Sequence, residues 1–224
     1  MNDYIISTKN LHKTYHSLNI NTVAINDISL NVNKGDFTAI MGPSGCGKST
    51  LLNILGLLDS PTKGEYYFLG KEVSGQKEAI RSKIRKGNIG FIFQNFNLIE
   101  SMNVYENIEL PLIYLKVNSR ERKKKINSIL EYMDIQNLLN RYPFQLSGGE
   151  QQRVSLSRAI VFEPKLILAD EPTGNLDNKN SQKIMQLLAQ INSKGITIVL
   201  VTHDLECSKY CNKIINILDG SVVQ

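Results

Sequence analysis

The sequence has few cysteines, no long hydrophobic run and no secretory leader. Its three cysteines are Cys46, Cys207 and Cys211, and the N-terminus carries no basic segment followed by an apolar stretch. Both features predict a reducing, cytoplasmic compartment. The longest apolar runs, such as residues 196–201, have the length of a strand and are far shorter than the roughly 20 residues that span a membrane. Any action at a membrane is therefore predicted to need a partner that supplies the membrane part.

Concentrated positive charge and internal repeats are scarce as well. The 26 Lys and Arg residues exceed the 21 Asp and Glu residues only slightly, which suits contact with polyphosphate or an acidic membrane surface, or a basic surface that binds nothing. Nucleic acid is not an expected partner, because the positive charges do not gather in a region interleaved with aromatic residues. The basic run at residues 120–125 is interpreted as a solvated helix face, with contact to a partner or to lipid headgroups as the alternative.

The order of the hydrophobic patterns predicts an α/β fold. Residues 28–32 alternate between apolar and polar, and residues 37–41, 166–169 and 196–201 are apolar runs of strand length. Between residues 103 and 142 the apolar residues recur at helical spacing, which predicts a helical insertion into an otherwise alternating β/α chain. A chain of 224 residues is long enough for one large α/β domain with a smaller subdomain inserted.

A glycine-rich loop between a predicted strand and a predicted helix carries the clearest chemical signal. Residues 42–49 match the pattern G-x-x-x-x-G-K-[ST]. Glycines let backbone N–H groups converge on phosphate oxygens, a lysine adds positive charge, and a small hydroxyl is a ligand for Mg²⁺. The N-terminus of the helix would also face the phosphates. The pattern predicts binding of a nucleoside triphosphate by Gly42, Pro43, Ser44, Gly45, Cys46, Gly47, Lys48, Ser49 and Thr50.

Polar residues follow three further predicted strands. Asp170 and Glu171 end one apolar run, and His203 and Gln94 each follow another. Because the carboxyl ends of parallel strands meet at one edge of a sheet, these side chains are expected beside the phosphate loop. The predicted ligands of Mg²⁺ are Ser49, Gln94 and Asp170. Glu171 is predicted to orient and partly deprotonate the attacking water, and His203 to hydrogen-bond the γ-phosphate.

Tyr15 stands upstream of the phosphate loop, between two predicted strands at residues 4–11 and 24–32. An aromatic ring at this place in the chain could stack on a purine base. It could also fill a loop, and the residues alone leave both interpretations open.

A second anion-binding device lies far along the chain from the first. Residues 146–153 read LSGGEQQR and precede a predicted helix that reaches to about Phe162. They combine a serine near the cap position, two glycines and a helix N-terminus. One molecule could join the two devices only if the helical insertion folded back far. Head-to-tail dimerisation is the simpler geometry, with the Ser147 segment of each chain covering the nucleotide of its partner.

With these motifs the chain resembles the nucleotide-binding subunits of ATP-binding-cassette (ABC) transporters over essentially its whole length. The resemblance rests on the order of the phosphate loop, the glutamine loop at Gln94, the signature at residues 146–150, the acidic strand end, the D-loop at residues 175–177 and the switch histidine. It implies that Tyr15 stacks on adenine. It also implies contacts to the partner's ATP from Ser147, Gly148, Gly149, Glu150 and Asp177.

The resemblance further implies the architecture. The expected fold is a P-loop NTPase core of the RecA type with a mostly parallel sheet, an antiparallel β subdomain and an inserted α-helical subdomain. Residues 1–224 would form a single ATPase domain. Its catalytic core is expected at about residues 1–94 and 160–224, and its helical subdomain at about residues 95–159.

A narrower likeness, to the macrolide-exporter and lipoprotein-releasing branch, is visible in residues 56–59, 107–112, 147–153 and 169–177. It implies a homodimeric subunit that uses ATP and Mg²⁺ and powers an integral membrane permease, exporting or extracting peptides, lipoproteins or antimicrobial compounds. The subunit would be peripheral on the cytoplasmic face of the cell membrane and would touch the membrane only through the permease.

Two other functions are compatible with an ABC cassette. One is an ATP-driven mechanical regulator of a permease-like protein without cargo, as in cell-division cassettes. The other, a soluble cassette that acts on DNA or ribosomes, is disfavoured. Such proteins carry a long coiled-coil insertion or two cassettes per chain, whereas this sequence has one cassette and no heptads.

Overall fold

Within residues 4–17 and 20–223, which the computed structural model describes, ten β-strands follow one another along the chain. They are β1 (Tyr4–Ser17), β2 (Ile20–Asn33), β3 (Phe37–Met41), β4 (Lys63–Phe68), β5 (Lys71–Glu72), β6 (Ile89–Phe93), β7 (Leu166–Asp170), β8 (Thr197–Thr202), β9 (Lys213–Leu218) and β10 (Ser221–Val223). The same part of the chain forms the helices α1 (Lys48–Leu55), α2 (Glu78–Arg85), α3 (Val104–Tyr114), α4 (Ser119–Tyr132), α5 (Gly148–Ile160), α6 (Asn178–Ser193) and α7 (Leu205–Ser208).

Six strands form a mostly parallel sheet in the order β10-β9-β3-β8-β7-β6, in which only β10 pairs antiparallel. Parallel strands with helices on both faces need apolar residues throughout, because both faces are buried. Strand β8 shows this pattern: Ile198 and Leu200 face one hydrophobic core, while Val199 and Val201 face the other. The near-continuous apolar runs of the sequence are therefore explained by burial on two sides.

A second, antiparallel sheet in the order β2-β1-β4-β5 packs over α1. Its inward residues, among them Ile6 and Ile28, share one hydrophobic core with Leu51 and Leu55 of α1 and with one face of the parallel sheet. Helix α1 thus lies between the two sheets. This arrangement confirms the predicted combination of a P-loop core with an antiparallel β subdomain.

The helices of the insertion and the later helix α6 pack on the other face of the parallel sheet. Apolar residues of α3, α4, α5 and α6 belong to the same core as Ile92 of β6 and Ala169 of β7. Local sequence signals start these helices: Asn103 caps α3 in a capping box with Glu106, and Asn118 caps α4. Among the described helices, none has the length and apolar character needed to cross a membrane.

The structure differs from the sequence-based expectations at three places. Strands β1 and β2 pair along most of their length, so Tyr15 lies within β1, opposite Thr22, and not between two strands. Strands β5 and β10 have two and three residues, too few to show a period. The sequence predicts a short helix over residues 204–211, but helix α7 already ends at Ser208. The prediction is wrong at its end because Asn212 is hydrogen-bonded to Phe37 near the start of β9.

Candidate active site

Four parallel strands end at the same level, which gathers the predicted site residues at one edge of the sheet. The register pairs Phe93 with Asp170, Asp170 with Val201, and Met41 with Thr202. The segments that follow these strands therefore leave the sheet side by side. They carry Gln94, Glu171, His203 and the phosphate loop. The edge is the position at which open α/β sheets bind ligands.

The phosphate loop presents backbone donors at the start of α1. Gly47 occupies the N-cap position with φ of 99°, no side chain caps the helix, and its first turn has no acidic residue. A Cβ atom at Gly47 would lie 2.2 Å from the carbonyl oxygen of Ala24, so a side chain is excluded there. The first N–H groups of a helix have no partner within the helix. Here they are available to an anion, and the helix dipole favours one.

The side chain of Lys48 is anchored to the backbone of the phosphate loop. The ammonium group of Lys48 donates to the carbonyl oxygens of Gly42 at 2.8 Å and Pro43 at 2.7 Å, and the side chain is buried. The buried thiol of Cys46 lies 3.9 Å from the same nitrogen. Residues Pro43, Ser44 and Gly45 form an exposed crest. The Lys48 ammonium is thus fixed by the protein itself, next to the exposed residues of the loop.

Two neighbouring carboxylates face this loop. Burial raises the pKa of Asp170, and the nearby Glu171 raises it further, although the Ser49 hydroxyl and Lys48 act in the opposite direction. Glu171 adopts a left-handed backbone with φ of 45°, and its N–H donates to the carbonyl oxygen of Val201 at 2.9 Å. Its Oε1 lies 2.9 Å from Nδ1 of His203. The predicted base and the predicted switch histidine are therefore hydrogen-bonded to each other.

The oxygen donors at this edge fit the predicted Mg²⁺. The Ser49 hydroxyl lies 3.4 Å from Oδ1 of Asp170. The amide of Gln94 packs on Gly174, where an added Cβ would lie 2.7 Å from Nε2 of Gln94. The described residues contain no cluster of three or more His, Cys, Asp or Glu side chains that could hold a metal. The hydroxyl of Ser49 and the carboxylate of Asp170 suit Mg²⁺, which commonly binds through one or two protein oxygens together with phosphates and waters.

Tyr15 lies beside α1 with its ring partly exposed. Its hydroxyl donates to Oδ2 of Asp59 at 3.0 Å, and the Lys13 ammonium lies 4.8 Å from the ring centroid. Burial and then the bond to Asp59 raise the pKa of Tyr15, while a bond to the Thr50 hydroxyl lowers it. The residue is 44% exposed. It is tethered through its hydroxyl and leaves surface for another ring, which favours the stacking interpretation over a loop-filling aromatic.

The signature residues start helix α5. Ser147 is the N-cap, its N–H and hydroxyl both donate to Glu150 at 2.8 Å, and its Oγ accepts from the N–H of Glu150. The Ser147 N–H and hydroxyl hold the pKa of Glu150 below its usual value. A Cβ at Gly149 would lie 2.8 Å from the side chain of Asn180 of α6, so a larger residue would displace the Asn180 amide, which is bonded to Asp177. No hydrogen bond joins these residues to residues 42–49 in the described part of the chain.

Asp177 caps the neighbouring helix. Its carboxylate accepts from the N–H of Asn180 at 2.8 Å and from the Asn180 amide at 2.7 Å. These bonds lower the pKa of Asp177. The residue therefore has a local structural role beside the contact to a partner's ATP that the resemblance implies.

Two residues tie the glutamine loop to the rest of the site: Asn175 of the predicted D-loop, and Arg158, which the sequence analysis did not single out. The Asn175 amide donates to the carbonyl oxygen of Gln94 at 3.1 Å and to Asn95 at 2.9 Å. Arg158 of α5 donates to the carbonyl oxygens of Phe96 at 3.1 Å and Asn97 at 2.8 Å. An arginine among the apolar residues of α5 was the available signal for the second of these contacts.

Comparison with known proteins gives a consistent result. The family model described as "ABC transporter" matches residues 25–174. The chain is 48% identical over 220 residues to the ABC transporter ATP-binding protein MJ1508 of Methanocaldococcus jannaschii, with 98% of each chain covered. It is also 42% identical to the macrolide export ATP-binding/permease protein MacB of Chlorobium luteolum, of which the match covers 98% of this chain and 33% of that protein.

A solved structure extends the similarity to three dimensions. The dimeric structure of a post-hydrolysis state of the ATP-binding cassette MJ0796, bound to ADP and Pi, matches with a TM-score of 0.91 and 43% identity. The match covers 98% of this chain and 97% of that one.

Proposed function

The chain belongs to the ABC transporter family and is an ATPase, and on that premise we propose that two copies close around two ATP molecules to power a membrane permease. Each ATP would lie between the phosphate loop of one copy and Ser147, Gly148, Gly149 and Glu150 of the other. Asp177 would contribute a further contact across the same interface.

One observation carries this proposal: the chain holds two separate anion-binding devices, only one of which lies beside the acid pair. The N-terminus of α5 is capped and packs against Asn180, and it shares no hydrogen bond with the described phosphate loop. In a head-to-tail pair of copies, the phosphate loop of each copy would face the N-terminus of α5 of the other copy. The dimeric structure of the similar cassette MJ0796 supports such pairing.

Within each site the residues would divide the work. Lys48 and the N–H groups of α1 would bind the β and γ phosphates, and Tyr15 would stack on adenine. Ser49, Asp170 and Gln94 would hold Mg²⁺, which when bound supplies positive charge against the phosphates.

Glu171 would orient the attacking water and accept its proton. His203, which already contacts Oε1 of Glu171, would fix that carboxylate and reach the γ-phosphate. The pair is placed at the edge by the ends of β7 and β8.

The permease and its cargo are proposed from the relatives. A protein that is similar over the whole of this chain is named as both an ATP-binding and a permease protein of macrolide export. We infer that this chain is peripheral on the cytoplasmic face of the membrane, and that the cargo class is peptides, lipoproteins or antimicrobial compounds. Co-purification of the permease from membranes tests this inference: a permease-like partner without a cargo pathway would indicate a mechanical regulator instead.

Glu171→Gln tests the catalytic part of the proposal. The variant should bind ATP normally, hydrolyse it about 10²–10⁴-fold more slowly because general base catalysis is lost, and accumulate as an ATP-dependent dimer in size-exclusion chromatography. Glu206→Gln is the matched control, since Glu206 is an exposed carboxylate paired with Lys209 near the same edge, and it should hydrolyse ATP normally. Wild-type turnover by Glu171→Gln would contradict the assignment.

A further inference from the structure

Gln152 is a buried amide that joins α5 to the turn at residues 171–174, the catalytic loop. It lies five residues after the cap of α5, is fully buried, and donates through Nε2 to the carbonyl oxygen of Pro172 at 2.6 Å. Its Oε1 has no hydrogen-bond partner. A buried amide with one unsatisfied oxygen is unfavourable compared with an apolar side chain of the same size. The bond to Pro172 is the feature of this site that an apolar residue could not supply.

The Pro172 carbonyl belongs to the turn that carries the proposed catalytic carboxylate. Pro172 follows Glu171 and is buried. Glu171 has a left-handed backbone, and its carbonyl oxygen accepts from the N–H of Gly174 at 3.0 Å. A non-glycine residue keeps such a conformation only when its surroundings hold it. The bond from Gln152 fixes the peptide that follows Pro172, and so limits the freedom of the turn in which Glu171 lies.

We propose that Gln152 is a positioning residue for Glu171 and that it couples the two ATP sites of a dimer. The inference rests on the proposed function, in which the N-terminus of α5 serves the partner's ATP. Gln152 lies about 7.5 Å further along the same helix, where it holds the chain's own Glu171. When α5 of one chain contacts the partner's nucleotide, a shift of α5 moves the Pro172 carbonyl through the bond from Gln152. The shift thereby changes the position of Glu171 in the chain's own ATP site.

Gln152→Met tests the hydrogen bond, because methionine keeps the length of the side chain and removes the donor. The variant should lower kcat by about 10- to 100-fold and leave the affinity of the monomer for ATP unchanged. Ser157→Ala is the matched control. Ser157 is also buried on α5, but its hydroxyl donates at 2.8 Å to Arg153 of the same helix, so its loss should leave kcat unchanged.

Gln152→Glu supplies a readout that packing alone would not change. A protonated carboxyl group can donate to the Pro172 carbonyl, whereas a carboxylate cannot. Burial raises the pKa of a carboxyl group. The kcat of this variant relative to wild type should therefore rise as the pH falls from 8 to 6, while the same ratio for Gln152→Met stays flat.

Mixed dimers locate the effect. When a Ser147→Arg chain is mixed with a Lys48→Ala chain, only the mixed dimer keeps one intact site, built from the phosphate loop and Glu171 of the first chain and the signature of the second. Gln152→Met on the Ser147→Arg chain should reduce the activity of the mixture. The same change on the Lys48→Ala chain should reduce it much less.

The outcomes separate this inference from the proposed function. Wild-type kcat in Gln152→Met, or a loss confined to the Lys48→Ala chain, would overturn the role of Gln152 while Glu171→Gln still trapped an ATP-bound dimer. Normal hydrolysis by Glu171→Gln would instead remove the proposed function itself.

Discussion

Arg158→Met offers a test of how the glutamine loop is held. Arg158 lies on α5, and its guanidinium donates to the carbonyl oxygens of Phe96 and Asn97. Both of these residues have left-handed backbones, with φ of 60° and 48°. Burial lowers the pKa of Arg158, which means that the protein environment disfavours its charge and that the two hydrogen bonds must offset this.

The expected loss follows from these contacts. A hydrogen bond from a charged donor contributes about 1.5–3 kcal/mol to stability, and Arg158→Met loses two of them. The variant also no longer has to bury a positive charge, and this gain offsets part of the loss. We therefore expect Arg158→Met to lower the free energy of unfolding by about 2 kcal/mol. Arg158→Lys keeps the positive charge but loses the planar guanidinium, so its free energy of unfolding should lie between those of wild type and Arg158→Met.

Urea unfolding measures the global effect, and hydrogen exchange of the amides at residues 95–99 measures the local one. Exchange there should accelerate in Arg158→Met, because the loop loses its contacts to α5. Lys209→Ala is the control: both side chains of its ion pair with Glu206 are exposed, so the change should stay within about 0.5 kcal/mol. Unchanged exchange together with unchanged stability in Arg158→Met would refute the reasoning.

Two further predictions concern the start of α5. Gly149→Ala should destabilise the chain by about 1–2 kcal/mol in urea unfolding because of the contact with Asn180. Gly148→Ala should not destabilise it, because the added Cβ meets nothing closer than 3.4 Å. Equal stabilities of the two variants would contradict this prediction. The pKa of Glu150 is lowered in the folded chain. The bonds between its carboxylate and Ser147 therefore stabilise the fold above the unfolded pKa of about 4.3, and this stabilisation is lost as the pH falls through the folded pKa. The difference in unfolding free energy between wild type and Glu150→Gln should therefore be present at pH 7 and vanish in acid, and a difference that grows in acid would be inconsistent with that sign.

The sequence predicted the sheet edge well because the signals there are local. A strand buried on both faces is a short apolar run, so the ends of β3, β6, β7 and β8 could be read directly. The residues that follow, such as Asp170 and His203, were then brought together by the register of a parallel sheet. Helix starts at Asn103 and Ser147 depend on neighbouring residues and were predictable for the same reason.

Contacts between distant segments could not be predicted from the sequence. The extension of β1 to include Tyr15 depends on pairing with β2, and the position of the phenol depends on Asp59. Gln151 and Gln152 look alike in the sequence, yet Gln152 is buried against Pro172 while the Gln151 amide donates to the nearby Leu146 carbonyl. Only the packing of α5 on the catalytic loop distinguishes them.

The most direct test of the shared ATP site is the activity of two inactive chains after mixing. Ser147→Arg and Lys48→Ala should each be inactive alone, since every site of either dimer lacks one half. An equimolar mixture should regain ATPase activity, up to roughly a quarter of the wild-type rate for random pairing, because half of the dimers then keep one of their two sites. Coupling between the two sites would bring the rate below this limit. A mixture no more active than the sum of its parts would contradict a site built from two chains.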